Sequence, residues 1–329
     1  MWPKISIIIP TYNSEEYIKA CLESVSKQRY PKDKIEALIV DGGSTDKTKE
    51  IASKYPVKII HNPRRLAEPA KTLGYKYSTG ELFFYLDSDA ELVSRNWLSS
   101  LVNPLLKNLE LAGSFTRYYP KKSQSAFNRY LSYSPLQMWS MLSYLLPSLK
   151  SVTVWKSREY SVIKINPDRC PPIGLCIYRK SLLKKIIKNP DTFNYVDIAI
   201  PIQLAEIGYD KLAYVEKAGI YHQRTSLWHE FKRQKRDIKV TYLPVFGKRK
   251  FNYINFRKPK DILKVFFWII YANLLIPSLI VGIYKTIKYK DIACLYEMPA
   301  NLFLTDYIIF LFLTDKNSLR IVNKIISKN

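Results

Sequence analysis

Two aspartates, Asp87 and Asp89, stand one residue apart directly after the apolar run Leu82-Phe83-Phe84-Tyr85-Leu86. Carboxylates so spaced at a strand end leave the sheet from adjacent positions and can address one ligand. The chemistry they suit is holding Mn²⁺ or Mg²⁺ against a diphosphate, whose charge such an ion neutralises. A D-x-D pair alone is a common solvated turn, and the buried strand before this one gives it weight. A third aspartate, Asp41, closes the β-rich run Ile35–Val40 and precedes Gly42-Gly43. Those glycines permit positive φ or close backbone approach. The Asp41 carboxylate can accept an N–H of uracil or guanine, or it can simply cap an Asx-turn with Ser44.

The elements that position these acids follow from the apolar pattern. Ile5–Ile9, Ile35–Val40 and Leu82–Leu86 are short, β-branched or aromatic runs ended by turn residues, as buried parallel strands are, and Val57–His61 is a further strand. Helices are predicted between them: from a cap at Asn13 or Ser14 to about Gln28, from Thr45 to Lys54, and from Leu66 to Ser78. Alternation of this kind builds an α/β fold with a parallel sheet, whose ligands bind beyond the carboxyl ends of the strands. Thr11-Tyr12-Asn13, Asp41-Gly42-Gly43 and Asp87-Ser88-Asp89 then share one rim. Further strands are expected at Ser114–Tyr119, Ile173–Tyr178, Tyr209–Val215 and Gly219–His222. Further helices are expected at Met138–Leu149, Pro201–Ile207 and Trp228–Lys239.

Three segments carry a resemblance: Ser6-Ile7-Ile8-Ile9-Pro10-Thr11-Tyr12-Asn13, Ile39-Val40-Asp41-Gly42-Gly43-Ser44-Thr45-Asp46 and Phe84-Tyr85-Leu86-Asp87-Ser88-Asp89-Ala90. In wording, order and spacing they resemble the N-terminal motifs of family 2 glycosyltransferases, which have the GT-A fold. The resemblance covers roughly residues 4–225 and implies a mixed, mainly parallel sheet flanked by helices. It implies that Asp41 reads the base, Asp87 meets the ribose or the metal, and Asp89 the metal. Pro10, Thr11 and the Tyr12 backbone would line the nucleotide. Ile173–Arg179 resembles the family's acceptor-side glycine strand. Tyr195-Val196-Asp197 resembles its Glu-Asp motif, with Val196 in place of the glutamate, and makes Asp197 the expected catalytic base. Ala70-Lys71-Thr72 stands where the family has Ala-Arg-Asn. His222 falls where the family often has a histidine, and can touch the metal or the diphosphate.

The remaining features concern partners. The 329 residues carry a net charge of +24, so acidic partners are expected. Basic residues gather on the predicted helix after Trp228; Arg233 and Arg236 suit a diphosphate or lipid headgroups. Val265–Tyr284 is uncharged and long enough to cross a hydrocarbon core of about 30 Å, and Met298–Leu313 is a shorter apolar run holding Asp306. Cys21, Cys170, Cys176 and Cys294 lack metal or redox spacing and read as structural thiols. The run Ile5–Ile9 is too short for a secretory signal, so a catalytic domain in the cytosol is expected.

The organisation expected is a GT-A catalytic domain over 1–225, with a nucleotide-binding half over 1–115 and an acceptor half over 116–225. A basic amphipathic linker follows over 226–260 and membrane-associated helices over 261–329. The expected activity is metal-dependent, inverting, hexosyltransferase-type transfer from a nucleotide-diphosphate sugar to a glycan or polyprenyl-phosphate-linked acceptor at the cytosolic membrane face. Membrane lipids are expected partners; nucleic acid is not, because no binding motif accompanies the charge. The rival readings are a polysaccharide synthase, whose Gln-x-x-Arg-Trp spacing is not met by Gln223-Arg224 and Trp228, and a basic nucleic-acid-binding protein.

Overall fold

The computed structural model describes residues 1–134, 137, 139–191, 193, 199–223, 226–236, 238, 254, 258–314, 316, 319 and 320. The chain divides into two compact units, Met1–Tyr119 with Ser148–Gln223, and Pro120–Pro147 with Arg224–Asn329.

In the first unit the strands are β1 (Ile5–Thr11), β2 (Ile35–Asp41), β3 (Val57–His61), β4 (Leu82–Tyr85), β5 (Ala90–Leu92), β6 (Leu111–Phe115), β7 (Thr153–Lys156), β8 (Ser161–Lys164), β9 (Cys176–Arg179), β10 (Lys211–Tyr214) and β11 (Ile220–His222). Nine of them form one sheet in the order β3-β2-β1-β4-β9-β6-β10-β8-β7, and β11 pairs with β5 in a small second sheet. β3, β2, β1 and β4 run parallel to one another, as do β6 and β10, while β9 and β8 run against them. The sheet is therefore mixed with most strands aligned, as the GT-A resemblance implies.

β1 owes its central place to Ile5, Ile7, Ile8 and Ile9, all fully buried. A strand apolar on both faces is stable only with a layer on each side. Helix Ile18–Ser26 buries Ile18, Cys21, Leu22 and Val25, spaced for a single helix face, and packs beside β5. Helix Ala67–Tyr77 comes so close that a Cβ on Gly74 would run into the Ile8 side chain. The chain leaves β1 for β2 and β3 on one side, then returns to β4 on the other. This reversal opens a crevice at the carboxyl ends of β1 and β4, the usual ligand position in such sheets.

Several expectations are corrected by the fold. Neither Asn13 nor Ser14 caps the first helix by its side chain, because both are drawn into bonds across the rim. The strand expected at Ser114–Tyr119 begins earlier, at Leu111, and the one expected at Ile173–Tyr178 begins later, at Cys176. Helix Trp97–Lys107 and the hairpin β7–β8 are additional elements.

The second unit is helical: Ala126–Ser132, Ser140–Leu145, Leu227–Arg236, Pro259–Asn273, Ile276–Tyr289 and Glu297–Thr314. Its core joins Phe127, Tyr130, Trp139, Trp268, Ala300 and Leu304. The uninterrupted span expected at Val265–Tyr284 is replaced by a helix pair bent by 79°, and among the described residues no single helix is long and apolar enough to cross a membrane. Pro277 is the physical reason. It has no N–H for the Asn273 carbonyl and its ring clashes with that group, so the first helix stops at Asn273 and Pro277 opens the next.

An ion pair ties this unit's early segment to its late one. Arg129 grips Asp291 with Nε at 2.7 Å and Nη2 at 3.1 Å, and the Tyr133 hydroxyl donates to the same carboxylate at 2.9 Å. The Arg129 hydrogen bond outweighs desolvation and, with the Ala293 N–H and Tyr133, holds the Asp291 pKa at about 2. A depressed carboxylate pKa gives stability that is present above the ordinary value near 4 and lost as pH falls through 2, here about 2 kcal/mol. Urea unfolding of wild type and Asp291→Asn from pH 6 downward should converge in that window. Curves that stay parallel through it would refute this assignment.

Candidate active site

The three rim segments meet through hydrogen bonds before any ligand is considered. β1 and β2 run in register so that Thr11 lies beside Asp41. Thr11 Oγ1 and Ser44 Oγ donate to Asp41 Oδ1 at 3.0 and 2.5 Å, and the N–H groups of Gly43 and Ser44 donate to Oδ2 at 3.0 and 2.9 Å. Burial raises the Asp41 pKa, but these donors outweigh it and the carboxyl stays below its ordinary range. The Asx-turn with Ser44 is thus formed, and Asp41 is 2% exposed. Its four lone-pair positions are occupied by its own chain, so a base would reach it only by displacing Ser44 or Thr11. Gly43 adopts φ +86°, which the turn after Asp41 requires. Asn13 Oδ1 accepts from Thr45 N–H, and Ser14 Oγ lies 3.1 Å from Ser88 Oγ, so the β1 loop stitches the other two together. The Tyr12 ring is half exposed beside Gly42.

Asp87-Ser88-Asp89 forms the tight turn between β4 and β5, with Ala90 N–H donating to the Asp87 carbonyl. β11 pairs antiparallel with β5, placing His222 opposite Ala90, and Gln223 N–H donates to the Asp89 carbonyl. The imidazole thereby arrives between the acids. Nε2 of His222 lies 3.4 Å from Asp87 Oδ2 and 3.3 Å from Asp89 Oδ1. One ligand atom from each of the three falls within 4.8 Å of the others, a spacing that suits a metal ion. Burial lowers the His222 pKa, but the Asp89 charge, hydrogen bonds to both acids and the Asp87 charge raise it to about 9. A cation placed between the three side chains would offset the charge of the two carboxylates.

His222 is held by neighbours that carry no signal in the sequence. Tyr118 packs its ring 5.5 Å from the imidazole. Gly219 sits at φ +67° with its N–H on Thr116 Oγ1, and a Cβ there would overlap the Tyr119 ring. Nothing local marks these residues; only the β5–β11 pairing makes them relevant. Gly219→Ala should therefore displace β11 and weaken Mn²⁺ binding roughly 10-fold, as losses behind a ligand do. Calorimetric titration with Mn²⁺ checks this. Unchanged affinity in a folded variant would make Gly219 a packing residue only.

Other expected residues lie elsewhere. Lys71 is buried, its ammonium 3.8 Å from the Tyr85 ring centroid. Arg179 reaches the carbonyls of Leu105, Asn108 and Leu111, at the rim opposite the acids. Arg233 and Arg236 belong to the second unit, where Arg233 forks onto the buried Glu230 at 2.5 and 3.0 Å. Asp197 lies outside the described residues.

A strand-switch crevice tipped by two aspartates and a histidine, on a mixed GT-A sheet, defines the class of protein. The chain belongs to glycosyl transferase family 2: the family's sequence model matches residues 6–187. It is similar to glycosyltransferase AglE of Haloferax volcanii, 33% identical over 148 residues, 43% of this chain and 48% of that protein. It is also 44% identical over 93 residues, 26% of this chain and 29% of the relative, to the dolichyl N-acetyl-alpha-D-glucosaminyl phosphate 3-beta-D-2,3-diacetamido-2,3-dideoxy-beta-D-glucuronosyltransferase of Methanococcus voltae. The matches span about half or less of these relatives. Among solved structures, mannosyltransferase PcManGT from Pyrobaculum calidifontis, in complex with GDP-Man and Mn²⁺, shares the fold. Its TM-score is 0.53 at 16% identity, over 92% of this chain and 86% of that one.

Proposed function

We propose that this chain is a metal-dependent, inverting glycosyltransferase that moves a sugar from a nucleotide-diphosphate sugar to a glycan or polyprenyl-phosphate-linked acceptor at the cytosolic face of a membrane. The convergence of Asp87, Asp89 and His222 at the strand switch carries this reading. These three would hold Mn²⁺ or Mg²⁺, and an imidazole in the donor set suits Mn²⁺ better than the oxygen-preferring Mg²⁺. When bound, the ion supplies charge neutralisation to the leaving diphosphate.

The chain's own residues do the rest. Pro10, Thr11 and the Tyr12 backbone line the nucleotide, and Asp41 holds the loop against which the base lies. Asp197 accepts the proton of an attacking hydroxyl, or orients a phosphate acceptor that is already anionic. Arg236, exposed at the end of a basic helix, meets acidic headgroups together with Lys232 and Lys235. Membrane attachment is supported by the exposed apolar side chains of Pro259–Tyr289, and a lipid-linked acceptor by the dolichyl phosphate in the name of the Methanococcus voltae relative. Titration of the purified protein with a panel of sugar nucleotides, with and without Mn²⁺, tests the reading. One donor should bind only when the metal is present; failure of every uridine and guanosine diphosphate sugar to bind would sink it.

A further inference from the structure

Helix Ile276–Tyr289 is built inside out. Ile276, Leu279, Ile280, Ile283, Tyr284 and Ile287 recur at helical spacing, and all are exposed, Ile276 to 69% and Ile280 to 60%. The opposite side buries Ser278 and Gly282 and turns Lys285 inward to Glu297, with Nζ to Oε2 at 2.6 Å. The preceding helix, Pro259–Asn273, repeats the pattern. Phe266 and Phe267 are more than half exposed, and Trp268 and Ala272 are buried. Water would favour the reverse arrangement on both helices.

The joint between the helices is equally apolar, with Leu274 and Leu275 exposed at 57% and 42%. Part of its backbone polarity is answered from within. Ser278 Oγ donates to the Leu275 carbonyl at 3.0 Å, Leu279 N–H to the same carbonyl at 2.8 Å, and Asn273 Nδ2 to the Ile269 carbonyl at 3.1 Å. Pro277 brings no N–H to satisfy.

We propose that this bent pair is a re-entrant wedge, entering one leaflet of an anionic bilayer elbow first and returning to the same face. Dimensions support it. Arms of 15 and 14 residues bent by 79° are each about 21–22 Å long, so the elbow lies about 14 Å below the arm ends, close to half of a core of about 30 Å. Charge supports it too. Lys258 and Lys260 are exposed where the first arm begins, and Lys288 and Lys290 where the second ends, so cations mark both arms at one level. Lys288 lies over the Tyr284 and Tyr289 rings, an aromatic and cationic pairing suited to headgroup depth. The cost is Asp306, whose carboxylate accepts the Asn273 amide at 3.2 Å. Two stripes of aliphatic and aromatic side chains are set against it.

This inference rests on the membrane part of the proposed function but not on its chemistry, and its test needs no sugar transfer. The full chain is reconstituted into phosphatidylcholine vesicles with and without phosphatidylglycerol, carrying Lys260→Cys, Leu275→Cys or Lys290→Cys labelled with an environment-sensitive fluorophore. The native cysteines are all buried. Position 275 should be quenched best by nitroxides deep in the acyl chain, and positions 260 and 290 by shallow ones. In separate samples left unlabelled, the cysteines at positions 260 and 290 should both react with an impermeant thiol reagent added outside. Ile280→Asp should weaken vesicle binding at least roughly 10-fold, while nucleotide binding, read separately, stays unchanged. Reaction of only one arm end before lysis would mean a spanning helix and overturn the wedge. Failure of deep quenching at 275, whether because the elbow lies on the surface or because a second copy of the chain covers it, would overturn it as well.

Discussion

Asp89→Ala is expected to abolish tight Mn²⁺ binding and to lower turnover by roughly 10³-fold, the scale of losing a principal electrostatic contact to developing negative charge. The reason lies in how few donors the site has. Asp87, Asp89 and His222 each offer one atom, and removal of Asp89 leaves an acid and an imidazole. The loss should be local. The Asp89 carbonyl accepts Gln223 N–H, and alanine keeps that backbone bond while losing the side-chain contact to His222 Nε2 at 3.3 Å. The β5–β11 ladder and the position of His222 should survive, and the side chain is 30% exposed, so no core cavity follows. Removing Asp89 also removes the largest influence raising the His222 pKa, which should fall. Manganese titration by electron paramagnetic resonance, kcat and a thermal melt together check the prediction. Wild-type activity that persists in excess chelator would contradict the assignment, as would an Asp89→Ala variant with native metal affinity.

The acids were legible in the sequence because their strands were. β1, β2 and β4 are built on mostly apolar, mostly buried runs, interrupted at Ser6 and Glu36, and such runs leave few alternatives to a central parallel strand. The turn at the end of such a strand must emerge at the sheet rim. Elements set by distant partners were less legible. β5 is three residues long and exists because β11 returns to it, and that pairing turns His222 from a family resemblance into a neighbour of Asp87 and Asp89. Asn13 and Ser14 carry good helix-capping chemistry, yet the neighbouring loops compete for their side chains and win. For Asp41 composition left two readings open, and the hydrogen bonds formed are those of the Asx-turn. The bend at Leu275 is a case of backbone over hydropathy: a window of apolar residues predicts one helix, while Pro277 removes the bond that would continue it.

Asp197→Asn should lower kcat about 10²–10⁴-fold with a hydroxyl acceptor, while leaving the affinity for the sugar nucleotide nearly unchanged. Asparagine keeps the shape and the hydrogen-bonding oxygen of aspartate but cannot take up a proton, so the variant isolates base chemistry from positioning. The assignment comes from the motif Tyr195-Val196-Asp197, and its flanks supply a physical context. Upstream, the Phe193 carbonyl accepts the Thr72 hydroxyl at 3.2 Å, and Thr72 follows Lys71, whose ammonium lies over the Tyr85 ring at the end of β4. Downstream, helix Ala199–Glu206 buries Ile200, Pro201, Ile202 and Leu204. The acceptor hydroxyl attacks the anomeric carbon opposite the leaving diphosphate, so loss of the group that takes its proton need not touch donor binding. Hence the expected split between kcat and donor affinity. The acceptor's nature sets the size of the effect. A hydroxyl has a pKa far above neutrality and needs its proton removed as it attacks, whereas a phosphate oxygen is already ionised. Parallel measurement with a hydroxyl-bearing glycan and with a polyprenyl phosphate therefore reads out the acceptor class. A large loss on the glycan alone assigns Asp197 as base; near-normal kcat on both would remove it from the reaction.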